Sequence, residues 1–151
     1  MNQIRAGTRE DIPFIVQAQI DMAFETEALR LDRETVIRGV GKVFDDPRLG
    51  QYFLAIGQNE SPLACLLTVP EWSDWRNGTV LWIHSVYVIP SKRRQGVFRS
   101  LYVFLKSHVE KSADLRGLRL YVERTNHPAQ KTYLDLGMNK NHYDLFEWLK
   151  T

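Results

Sequence analysis

The 151 residues contain a single cysteine, so no disulfide within the chain can staple the fold. Cys65 stands inside the apolar run PLACLLTV, where it reads as a small buried hydrophobe and not as a nucleophile. No uninterrupted apolar run approaches the roughly 20 residues that cross a bilayer, and the opening MNQIRAGTREDI lacks the apolar centre of a signal peptide. The expectation is therefore a cytoplasmic chain with no membrane partner. Neither sign of charge dominates: a formal net charge of +2 is too small to imply a nucleic-acid surface by itself. Repeats, low-complexity segments and Pro/Gly/Ser-rich linkers are missing too, which favours one domain over 1–151. His84, His108, His127 and His142 show no metal-ligand spacing, and there is no Gly-x-Ser-x-Gly turn, so neither a metal centre nor a catalytic triad is indicated.

What is present is ordinary globular material. With 44% hydrophobic and 25% charged residues, the composition suits a folded domain that buries about two thirds of its unfolded surface. A short strand around Gln3–Ala6 precedes a helix that Asp11 is placed to cap, with Pro13 in its first turn. A second helix begins after Asp32, carries Val36, Ile37, Val40, Val43 and Phe44 at helical spacing, and fades at DDPRLG. The period then changes: QYFLAI (51–56) and LACLLTV (63–69) read as a hairpin, and TVLWIHSVYV (79–88) as a third long strand after the Asn77–Gly78 turn. From Gly96 the pattern is helical again, with Val97, Leu101, Phe104 and Leu105 on one stripe. LRLYVE (118–123) follows as a strand parallel to the third. HPAQKTYLDLG reads as a short helix closed by Gly137, and HYDLFEWL as a last strand.

One segment carries chemistry. VYVIPSKRRQGVFRSLY takes a strand through a basic, glycine-containing loop straight into a helix. The first amides of a helix have no intrahelical acceptor and sit at the positive end of its dipole, so such a loop suits a phosphate-bearing ligand. Arg93, Arg94 and Arg99 add cations. Mononucleotide and dinucleotide loops fit less well, because no Gly-Lys-Ser/Thr ending and no three-glycine fingerprint occur.

The same residues resemble the acetyl-CoA pyrophosphate loop of the GCN5-related N-acetyltransferase (GNAT) superfamily, in which Arg or Gln is followed after two residues by Gly. Arg93 and Gly96 match, and Phe98 stands where the family pattern has a small residue. Asn126, Ala129, Tyr133 and Gly137 in NHPAQKTYLDLGM resemble a second family pattern, in the expected order and separation. EWSDWRNGTVLWIHSVYV looks like a bacterial branch of the superfamily. The resemblance implies a mixed α/β fold: a mostly antiparallel sheet of about six or seven strands with a parallel, splayed pair, flanked by about four helices.

It also implies roles. Acetyl-CoA, or coenzyme A, would lie along the main chain of Val86, Tyr87 and Val88. Its pyrophosphate would sit on Arg93, Arg94, Gln95, Gly96, Val97, Phe98 and Arg99, with Asn126, Ala129 and Tyr133 on the other side. Tyr133 matches the family tyrosine that protonates the leaving thiolate; its phenol, with an ordinary pKa of about 10, holds its proton at pH 7. An alkyl amine acceptor titrates about 3.4 pH units above neutrality, so freeing its lone pair costs roughly 4.6 kcal/mol and a base is useful. His84 is the leading candidate, and simple alternation turns it to the same side as Val86. Glu25, Glu27, Glu71 and Asp74, with Trp72 and Trp75, would recognise the acceptor, a small cationic amine; Glu25 or Glu71 is an alternative base. The implied activity is N-acetyl transfer by direct attack on the thioester. A non-catalytic acyl-CoA sensor of the same fold stands as the alternative, and a homodimer is compatible with either.

Overall fold

The structure, a computed structural model, describes every residue from Met1 to Thr151. It divides into two compact units, Met1–Arg119 and Leu120–Thr151. The first unit holds β1 (Gln3–Ala6), α1 (Ile12–Glu27), α2 (Arg33–Asp45), β2 (Gln51–Ile56), β3 (Pro62–Ser73), β4 (Gly78–Val88), α3 (Val97–Lys111) and β5 (Leu115–Arg119); the second holds α4 (His127–Asp135). The sheet has five strands in sequence order, not six or seven. β1 through β4 pair antiparallel and β5 joins β4 in parallel. No helix is long and apolar enough to cross a membrane.

Period-2 patterning separates the two faces of the sheet. Tyr52, Leu54 and Ile56 of β2, Cys65 of β3 and Tyr87 of β4 pack with Ile15, Val16 and Ala18 of α1 and Val40 of α2. On the other face Phe53 meets Phe104 of α3, ring centroids 5.5 Å apart, and Leu101 and Leu105 of α3 are fully buried. Each buried leucine contributes about 1.5–3 kcal/mol. That burial anchors α3, and through it the loop at its amino terminus. Cys65 is fully buried, and burial pushes its thiol up to about 12, as a small core residue requires.

Several local expectations change with the tertiary partners. Asp11 does not cap α1: its carboxylate accepts from Arg5 Nη1 and Nη2 at 2.7 and 2.9 Å and from the Thr8 amide at 2.8 Å. A bidentate guanidinium outcompetes a helix amide for the same oxygens. Asp32 does cap α2, its Oδ2 accepting from Thr35 N at 2.9 Å. β5 begins at Leu115, three residues before the expected start, and stops at Arg119, where its pairing with β4 ends opposite Trp82. HYDLFEWL is not a strand. Its apolar residues fall in adjacent pairs, Leu145–Phe146 and Trp148–Leu149, so neither face of an extended segment would be uniformly apolar; Phe146 and Trp148 are almost fully exposed.

Candidate active site

The site is built around an irregularity in β4. Leu67 of β3 lies opposite His84 and Cys65 lies opposite Tyr87, so two residues of β4, Ser85 and Val86, face the single Leu66. Ser85 takes a φ of +55° to accommodate the extra residue, a strain of about 1–2 kcal/mol for a side chain with a Cβ. The bulge shifts the alternation by one. His84 therefore shares its face with Trp82 and Tyr87, and not with Val86 as simple alternation implies. This is the α1 side of the sheet, since Tyr87 packs into the α1 cluster. The His84 and Trp82 rings lie 6.2 Å apart. His84 is half-buried, and desolvation pulls its pKa below the usual imidazole value, which favours the neutral ring at pH 7.

Beyond the bulge, a 3₁₀ turn at Pro90–Lys92 leads into the basic loop. Arg94 at φ +62° and Gly96 at φ +78° both take the left-handed conformation. The first bond of the helix ladder is Ser100 N–H to Gly96 O at 3.0 Å, so the amides of Val97, Phe98 and Arg99 have no acceptor within α3. Gln95 Nε2 donates to Ser91 O at 2.9 Å and ties the loop across itself. A Cβ on Gly96 would meet no atom within 4 Å. Three first-turn amides with no acceptor in their own helix, exposed Arg94 and Arg99 and open space over Gly96 form a donor set that fits a diphosphate.

Arg93 is turned differently. Its Nη2 donates to Glu25 Oε2 of α1 at 2.7 Å, its Nε to Val88 O at 2.9 Å, and its guanidinium lies 5.5 Å over the Tyr87 ring. It stitches the loop to α1 and to the end of β4. Next to it, the Tyr87 hydroxyl lies 3.5 Å from Asp21 Oδ2, and burial, together with the charges of Glu25 and Asp21, raises the phenol's pKa. Gln17 Nε2 donates to Asp21 Oδ1 at 2.7 Å, and Gln17 Oε1 in turn accepts from Arg33 Nη2 of α2. Asp21 was not among the residues expected from sequence. Its signal lies in the spacing: Gln17, Asp21 and Glu25 recur every fourth residue, a polar stripe along one side of α1.

The remaining acceptor residues fall in two places. Glu27 is exposed at the end of α1. Glu71, on β3, accepts from the Trp82 indole N–H and lies 3.6 Å from Arg119 Nη1, on the same sheet face as His84. Trp72 and Trp75 are 64% and 87% exposed, and Asp74 Oδ1 accepts from the amide of Trp75 at 2.9 Å, so this turn is closed on itself. In the second unit, Asn126 caps α4, its Oδ1 accepting from Ala129 N at 3.2 Å. Tyr133 lies on the same helix, and burial raises its pKa. Gly137 at φ +88° ends the helix, with Met138 N–H donating to Tyr133 O at 3.0 Å.

The model of the acetyltransferase (GNAT) family matches residues 14–138. Comparison with curated protein sequences finds no match. Among solved structures, a possible acetyltransferase from Clostridium difficile 630 is 36% identical, covers 99% of this chain and 97% of its own, and superposes with a TM-score of 0.91. A predicted acetyltransferase with acetyl-CoA from Clostridium acetobutylicum is 17% identical over 100% of this chain and 96% of its own, with a TM-score of 0.68. AAC(6')-Iy, in complex with the bisubstrate analogue CoA-S-monomethyl-acetylneamine, is 12% identical over 100% and 99%, with a TM-score of 0.75. The likeness to these last two is one of fold. The family match over most of the sequence, joined to the 36% identical relative aligned end to end, makes this chain a member of the GNAT acetyltransferase family.

Proposed function

We propose that this protein is an acetyl-CoA-dependent N-acetyltransferase that acetylates a primary amine by direct attack, with no acyl-enzyme. The observation that carries the reading is the bulge at Ser85–Val86. It puts a neutral imidazole, His84, on the α1 face beside Tyr87, and the main chain leaves that bulge for the basic loop within a few residues. A fully buried Cys65 with a raised thiol pKa has no part in such a reaction.

When bound, acetyl-CoA supplies the acetyl group as a thioester whose C–S bond breaks as the C–N bond to the acceptor forms. The amides of Val97, Phe98 and Arg99, with Arg94, Gln95 and Gly96, would hold its diphosphate. Pairing of β4 with β5 ends at Trp82, and the main chain of Val86, Tyr87 and Val88 would bind the pantetheine arm. Arg93, already bonded to Glu25 and Val88, would brace this wall. His84 would take the proton that the amine loses, and Glu25 or Glu71 would orient the acceptor. In the second unit, Asn126 and Ala129 would contact the arm, and the Tyr133 hydroxyl, kept protonated by its burial, would give its proton to the departing sulfur. Because the family match runs from 14 to 138, we take the two units as one acetyltransferase domain.

The test begins with the melting temperature in acetyl-CoA, in free CoA and in ATP. Ligand at a hundred times its Kd adds about 2.7 kcal/mol of stability. Stabilisation by both CoA species and not by ATP, followed by CoA release with an amine panel, is the expected result. Stabilisation without CoA release from any amine would leave a CoA-binding module in place of an enzyme. No shift with any ligand would remove the cofactor itself.

A further inference from the structure

A groove of about 400 Å³ opens where α1 ends, lined by Ile20, Asp21 and Phe24 of the helix and by Leu29, Arg30 and Leu31 of the link to α2. The chain builds it locally. Ala28 takes a φ of +51° at the carboxy terminus of α1, with its N–H on Phe24 O at 3.0 Å and the Leu29 N–H on Ala23 O at 3.2 Å. That left-handed cap turns the link back along the helix. Four of the six lining side chains are apolar, and two of them, Phe24 and Leu29, are about half exposed to solvent, at 51% and 49%. An apolar wall left wet in this way is stabilised by whatever covers it.

The two polar residues of the groove have opposite charge. Asp21 is held in place by Gln17 on one oxygen and faces the Tyr87 hydroxyl with the other. Arg30 lies over the Phe24 ring, its guanidinium carbon 5.2 Å from the centroid. Stacked in this way, a guanidinium keeps its planar fork of N–H donors available for a carboxylate. A small cationic amine, the acceptor class expected from the acidic residues of the sequence, would gain one partner here and meet one like charge.

We infer that the groove takes a zwitterion, an α-amino acid with an apolar side chain: its ammonium on Asp21, its carboxylate on Arg30, and its side chain against Ile20, Phe24, Leu29 and Leu31. This deepens the acetyltransferase reading and rests on it for the chemistry. The amine so held lies beside Tyr87, which shares its sheet face with His84. With acetyl-CoA bound, His84 would take the proton that turns the ammonium into a free amine. The N–C bond would form as the thioester C–S bond breaks, and the sulfur would leave as CoA thiol, its proton balanced by the second one that nitrogen loses. The carboxylate on Arg30 would take no part in bonding changes. The volume lies within the usual range of about 300–1,000 Å³ for small-ligand sites.

Binding and turnover separate the two readings. Isothermal titration of the full chain, in the presence of free CoA, with L-phenylalanine and with phenethylamine compares the same side chain and amine with and without the carboxylate. L-Phenylalanine is expected to bind at least about tenfold more tightly. R30Q is expected to abolish that preference by weakening L-phenylalanine without weakening phenethylamine, and its melting temperature checks that the exposed substitution keeps the fold. Equal affinity for the two ligands, or a preference that survives R30Q, would overturn the zwitterion assignment. So would CoA release with phenethylamine or other simple amines and none with L-phenylalanine, a result that leaves acetyl transfer standing. Selective binding of L-phenylalanine without any CoA release would sustain the groove assignment and refute the enzymatic reading alone.

Discussion

Replacing Gly96 by alanine separates what the loop needs for folding from what it needs for its ligand. Gly96 sits at φ +78°, ψ 11°, where a Cβ costs about 1–2 kcal/mol. The added methyl carbon would touch nothing within 4 Å, so no steric clash adds to that figure. For a chain of this length, 1 kcal/mol corresponds to about 2–4 °C in Tm; the expected loss is therefore about 2–8 °C. The space above Gly96 is also where a diphosphate would approach the amides of Val97, Phe98 and Arg99, so acetyl-CoA affinity should fall by more than about tenfold, a further 1.4 kcal/mol. Calorimetric titration of acetyl-CoA measures the second effect, and a thermal scan without ligand measures the first. G39A is the control: Gly39 is exposed inside α2 with nothing within 4 Å of a Cβ, and alanine there should add about 0.5–1 kcal/mol of stability with no change in affinity. If G96A lowers Tm but binds acetyl-CoA as tightly as the parent, the loop does not hold the diphosphate where its amides point.

Three further outcomes are expected. Because desolvation lowers the His84 pKa, kcat/KM should rise with pH through an ionisation below about 6.5 and then level off; H84Q should lose that limb and about 10²-fold in rate, and an unchanged profile would dismiss His84 as the base. Y133F should lower kcat by about 10²-fold with acetyl-CoA Kd within about twofold, whereas equal losses in both would make Tyr133 a binding residue only. Asp11 is 7% exposed and its carboxyl is held below the ordinary range, chiefly by the Arg5 hydrogen bond. D11N should cost about 2 kcal/mol in urea denaturation at pH 7. A depressed carboxylate pKa stabilises above its unfolded value, near 3.9, and the benefit is lost as pH falls through the folded value, so parent and variant should converge in strong acid. A gap that persists there would place the effect in packing and not in charge.

Much of the site was legible where its determinants are local. The switch from period 2 to period 3.6 at Gly96 marked the strand, basic loop and helix from which the proposed diphosphate site is built, and α3 begins at Val97 as that pattern implies. Gly137 takes the positive φ that its place at the carboxy-terminal end of a helix suggests. Asn126 both caps α4 and stands in the family pattern. The missed elements share another property. Nothing in the triplet His84-Ser85-Val86 announces a bulge, because the extra residue is defined by Leu66 on the neighbouring strand. Nothing near Arg93 announces Glu25, 68 residues away, and Asp21 gained significance only when Tyr87 was seen beside it.

The sequence by itself determined most of the element order, the apolar faces, the position of the basic loop at a helix start and the family, because hydrophobic period, glycine conformation and motif spacing are properties of neighbouring residues. Tertiary structure alone decided which way His84 points, where Arg93 is tied, how far β5 runs and that HYDLFEWL forms no strand. Side-chain direction in a sheet depends on register, and register is set by partner strands; one inserted residue reverses every side chain beyond it. Charges of opposite sign gathered in the groove beside α1 follow the same logic, since the left-handed turn at Ala28, not any pattern in EALRL, brings Arg30 to the helix that carries Asp21.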